Sequence, residues 1–90
     1  MSRYKKIRED ILSGKSDNNI SEEDMKFFLS KIGAIHRRTT GSHFQYCIDD
    51  IPELINIQPK NGKIKSYQVK QVRNIVSKYK LGEGGLEDGI

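Results

Sequence analysis

Apolar residues recur at Met25, Phe28, Leu29 and Ile32, the i, i+3, i+4, i+7 stripe of a helix with one buried side. Ser21 stands ahead of it as N-cap. Glu22, Glu23 and Asp24 fall in the first turn, where negative charge complements the helix dipole, and Gly33 supplies the stop. Val69, Val72, Ile75, Val76 and Tyr79 repeat the stripe further on, with Ser66 as the expected cap and Gly82 as the stop. Between these helices the period falls to two. Phe44, Tyr46 and Ile48 alternate with His43, Gln45 and Cys47, while Ile55 and Ile57 alternate with Leu54, Asn56 and Gln58, so two strands are predicted. Asp49-Asp50-Ile51-Pro52 reads as the bend between them. Pro59-Lys60-Asn61-Gly62 closes the second, because proline cannot donate to a ladder and Asn-Gly favours a turn. A third strand is expected ahead of them, over residues 34–38.

The predicted domain is therefore α+β: a three-stranded antiparallel sheet in α-β-β-β-α order with both helices on one face. A weaker helix precedes it, with Tyr4, Ile7 and Ile11 on one side and Lys5, Lys6 and Arg8 around it. Residues 1–20 read as this helical extension and a linker, 21–81 as the main domain, and 82–90 as a tail without apolar pattern, expected to be disordered.

Alternation also assigns faces. If Phe44, Tyr46 and Ile48 pack on the helices, His43, Gln45 and Cys47 face water. An even loop, either Thr40-Gly41 or all of Thr39 to Ser42, would set Arg38 opposite His43, His36 opposite Gln45 and Ile35 opposite Tyr46. That register buries every apolar residue of the hairpin and gathers His36, Arg38, His43 and Gln45 on the open face.

Composition narrows the class. A chain of 90 residues builds one core with little room for a deep substrate cavity. No run approaches the roughly 20 apolar residues of a membrane span, and no apolar run follows the charged start, so neither a membrane segment nor a secretory signal is expected. Cys47 is the single cysteine and has no partner for an internal disulfide, which agrees with a cytoplasmic protein holding no metal or other cofactor. Charge is lopsided. Lys60, Lys63, Lys65, Lys70, Arg73, Lys78 and Lys80 lie in a stretch from Leu54 without any acid. Setting aside Glu83, Glu87 and Asp88 leaves 16 basic residues against nine acidic ones, +7 in place of the overall +4. Such a surface suits a polyanion, and Lys60, Lys63, Lys65, Lys70 and Arg73 are the expected RNA contacts.

Two imidazoles and a guanidinium on an exposed face beside a basic helix match the needs of RNA cleavage without a metal. The 2′-hydroxyl attacks the adjacent phosphate once a base takes its proton, an acid protonates the departing 5′-oxygen, and a cation steadies the phosphorane. Imidazole is the side chain that titrates nearest neutrality, which makes His43 the expected acid or base. Arg38 offers a planar fork to phosphate oxygens, Ser42 a hydroxyl to the phosphate or imidazole, and Gln45 and His36 support. Gly-Ser-His alone is a weak motif, and His36 reads more simply as a bystander. The alternative is a non-catalytic module that docks structured RNA through the lysines.

The combination of "GSHFQY" with "LINIQPKNGKIKSYQVKQVRNIV", after a capped helix ending in "KIGA", resembles the HicA-type toxins of bacterial toxin-antitoxin systems over about residues 21–81. The leader "KIREDILSGKSDNNI" is similar to an extension of longer members. The resemblance implies a fold like the double-stranded-RNA-binding domain and an endoribonuclease that cleaves mRNA to arrest translation. Its catalytic histidine carries over to His43. It also implies a HicB-type antitoxin as protein partner. Two family features do not carry over: Phe44 stands where many members have a second histidine, and Gln58-Pro59 where shorter members place a Pro-His pair.

Overall fold

The computed structural model describes residues 2–82. Helix α1 spans Arg3–Ser13 and α2 Glu22–Lys31; strands β1 Ile35–Thr40, β2 His43–Cys47 and β3 Ile55–Ile57 follow. Then come two short strands, β4 Pro59–Lys60 and β5 Lys63–Ile64, and helix α3 Ser66–Tyr79. The first three strands form one antiparallel sheet in the order β1-β2-β3, so the α-β-β-β-α arrangement holds, preceded by an additional helix. β4 and β5 make a separate ribbon that the period-two pattern did not announce; Asn61-Gly62 is its turn, both residues having positive φ.

Helix α2 begins as its cap residues dictate: the Asp24 N–H donates to the Ser21 hydroxyl at 3.0 Å, and Met25, Phe28 and Leu29 are wholly buried. Helix α3 corrects the expected cap. Ser66 is its first helical residue, while Lys65, extended in continuation of β5, takes the N-cap position without a side-chain bond to the helix's first turn. The stop is corrected too: the left-handed residue that ends α3 is Lys80, two positions before Gly82.

The N-terminal helix belongs to the core. Tyr4, Ile7 and Ile11 are buried, and the Tyr4 ring stacks on Phe28 with centroids 5.7 Å apart. Each such apolar side chain stabilises by about 1.5–3 kcal/mol, enough to hold a short helix in place. The stretch read as a linker is likewise tied down: the Asp17 carboxylate accepts from Arg73 Nη1 at 2.9 Å, and the Ile20 carbonyl accepts from the Ile64 N–H. The expected tail lies outside the described residues except for Gly82, whose carbonyl accepts the Tyr4 hydroxyl at 2.9 Å. No helix among the described residues is long and apolar enough to cross a membrane.

The β1–β2 hairpin departs from the expected register. Its loop is Gly41-Ser42, with Thr40 opposite His43, Thr39 opposite Phe44 and Arg38 opposite Gln45. The tight turn needs a positive φ at its first central position; Gly41 has 60°, a value that a β-branched threonine resists. Both threonines therefore remain in the strand, and the pairing moves two residues along. A bulge at Arg37 then sets His36 opposite Tyr46 and Ile35 opposite Cys47, leaving Ile35 54% exposed rather than inside.

Candidate functional site

β2 presents two faces. Tyr46 is buried among the helices, and its neighbours Ile55 and Ile57 on β3 are wholly so, which turns His43, Gln45, Cys47 and Asn56 to the other side. His43 is exposed at the first position of β2, directly after Ser42 in the turn. Arg38, also exposed, lies one pleat period away, across from Gln45. The Gln45 side-chain amide reaches a third strand, donating to Asn56 Oδ1 at 3.3 Å. His43, Arg38 and Gln45 thus share the open face as expected, although Arg38 faces Gln45 and not His43.

His36 does not join them. Its ring lies 5.4 Å from Tyr46 and 6.1 Å from Phe44 on the helix side, and its Nε2 shares a 2.8 Å hydrogen bond with Thr39 Oγ1. The Arg37 bulge is the physical reason, since one extra residue inverts the facing of everything beyond it. Lys26 stacks its ammonium 3.9 Å above the Phe44 ring and pairs with Glu22 at 2.7 Å. Burial raises the Tyr46 hydroxyl above its ordinary titration range, with Lys26 pulling it down and Glu22 pushing it up by smaller amounts.

The basic residues divide by what holds them. Lys60, Lys63, Asn61 and Lys65 line a surface depression of about 410 Å³ between the β4–β5 ribbon and the start of α3. Lys63 donates to Asn19 Oδ1 at 3.2 Å and Lys65 to Gln58 Oε1 at 2.9 Å, neutral partners that leave both charges uncancelled. Lys70 is exposed on α3. Arg73 differs: its Nη1 donates to both Asp17 carboxylate oxygens, at 2.9 and 3.2 Å, and to the Ile11 carbonyl at 3.1 Å. Its guanidinium is a structural clasp between α3 and the segment after α1. Lys78 is also paired, with Glu53 at 2.9 Å, so the acid-free stretch is partly neutralised from outside itself.

Asn56 is an open-face residue that sequence reasoning did not single out. Its signal was a polar residue between two buried isoleucines, and only strand pairing shows that it meets Gln45. Among the described residues no three His, Cys, Asp or Glu side chains converge as a metal site. In comparisons with known proteins, no family model, no curated protein and no solved structure matches the chain.

Proposed function

We propose that the chain is a HicA-type endoribonuclease that cleaves mRNA without a metal, with His43 as its acid or base and a HicB-type antitoxin as its protein partner. One observation carries the reading: the histidine of the Gly-Ser-His motif stands exposed at the hairpin tip, with Ser42 beside it and Arg38 on the same open face. An exposed imidazole can meet a polymer whose scissile phosphate never enters a cavity. As the P–O2′ bond forms, the 2′-hydroxyl loses its proton; as the P–O5′ bond breaks, the 5′-oxygen gains one, and His43 serves one of these transfers. Arg38 is long enough to bring its fork to the phosphate from one pleat period away, and Ser42 offers a hydroxyl. Products are a 2′,3′-cyclic phosphate and a free 5′-hydroxyl.

The cations supply the rest. Lys60, Lys63, Lys65 and Lys70 hold the strand through its phosphates, which gives affinity without sequence preference. The same charged surface suits an acidic antitoxin. Purified protein incubated with end-labelled mRNA in EDTA tests the reading. Fragments ending in cyclic phosphate are expected; intact RNA that is shifted on a gel would favour a non-catalytic RNA-binding module instead.

A further inference from the structure

On the open face the hydrogen-bonded amides of Gln45 and Asn56 form a polar row that no step of the cleavage chemistry uses. We propose that this pair reads the nucleobase adjacent to the scissile phosphate and prefers guanine; the assignment rests on the ribonuclease reading and deepens it. Position is the first reason. Gln45 lies two residues beyond His43 on the same face, about 7 Å along the strand, within reach of a base whose phosphate sits at His43. Asn56 extends the row to β3, and Arg38 flanks it from β1. Charge is the second reason. None of β1, β2 and β3, which read IHRRTT, HFQYC and INI, carries a carboxylate to repel a nucleic acid strand.

The donor inventory points to the base. Two side-chain amides hold four N–H hydrogens and two carbonyl oxygens, and the bond between them consumes one of each. Three hydrogens and one fully free oxygen remain, whichever of the two amides is taken as the donor. Such a row favours an edge with neighbouring acceptors. Guanine presents two side by side on an edge remote from the ribose, O6 and N7; cytosine's neighbouring pair, N3 and O2, has its O2 crowded against the sugar, and adenine and uracil alternate donor with acceptor. Because the base must be unstacked to lie over a sheet, the ligand is single-stranded RNA.

The test uses the full chain carrying His43→Ala, so that RNA survives the measurement, titrated with UUGUU, UUAUU, UUCUU and UUUUU while side-chain amide NMR signals are followed. The Gln45 and Asn56 signals should shift, and UUGUU should bind about tenfold more tightly than the others, as one good base contact provides. Asn56→Ala and Gln45→Ala, each checked for an unchanged fold by thermal unfolding, should erase that preference and leave the salt dependence intact. Equal affinity for all four oligomers, a preference surviving both substitutions, or no binding would overturn the proposal. Cleavage by the unmodified protein is scored separately. Guanine preference without cleavage removes the catalytic reading and leaves base recognition standing, and cleavage without preference does the reverse.

Discussion

His36 and His43 belong to one hairpin and face opposite ways: the His36 ring lies 5.4 Å from that of Tyr46 on the helix side, whereas His43 stands across from Thr40 at the exposed tip. A single bulged residue, Arg37, separates the two arrangements. The two imidazoles therefore cannot divide the acid and base roles across one phosphate in this fold.

It follows that His36→Ala should leave RNA cleavage unchanged. It removes an exposed hydrogen bond to Thr39, at a cost to stability of about 0.5–1.5 kcal/mol or less. Cleavage rates and thermal unfolding of the same preparation check both parts. A hundredfold loss of rate in the folded variant would mean that the hairpin rearranges to bring His36 to the substrate.

Arg73 and the lysines should separate cleanly. Arg73→Met strands the partly buried Asp17 carboxylate and the Ile11 carbonyl, so it should cost about 1–3 kcal/mol of stability with little effect on the salt dependence of RNA binding. Charge reversal of Lys60, Lys63 and Lys70 should weaken RNA binding and flatten its salt dependence, because each phosphate contact releases counterions. Denaturant unfolding and binding at several salt concentrations measure the two effects. An Arg73 variant of full stability with a reduced salt slope would return that residue to the RNA surface.

Glu53 gives a pH signature. The Tyr79 hydroxyl, donating at 2.6 Å, and then the Lys78 ammonium hold its carboxyl below the ordinary value of 4.5. A carboxyl with a depressed folded-state value contributes stability that is complete above the unfolded value and is lost as pH falls through the folded one. Glu53→Gln should therefore lower the unfolding temperature at neutral pH, and the gap to the unmodified protein should close on acidification below about 4.5. Profiles that stay parallel from pH 7 to about pH 2 would show that the carboxylate contributes nothing through its charge.

The helices were legible because their signals are local. Ser21 and the stripe from Met25 to Ile32 describe α2 within a dozen neighbouring positions, and the same holds for the apolar face of α3. Strand identity was legible from alternation, and with it the exposure of His43. Register was not, because the choice between Thr40-Gly41 and Gly41-Ser42 as loop depends on which residue tolerates positive φ, and the Arg37 bulge has no mark in the chain. Pairings between distant positions were equally hidden. Arg73 with Asp17 and Gln45 with Asn56 are set by how elements dock, and a count of charges assigns Arg73 to solvent until its partner is seen.

The most direct measurement is thermal unfolding and RNA cleavage in EDTA on one preparation of His43→Ala. The side chain is exposed, so its removal should change stability by less than about 1 kcal/mol. Cleavage should fall by roughly a hundredfold or more, the scale of a lost general acid or base. A folded variant that cleaves at the full rate would contradict the account and remove His43 from the chemistry.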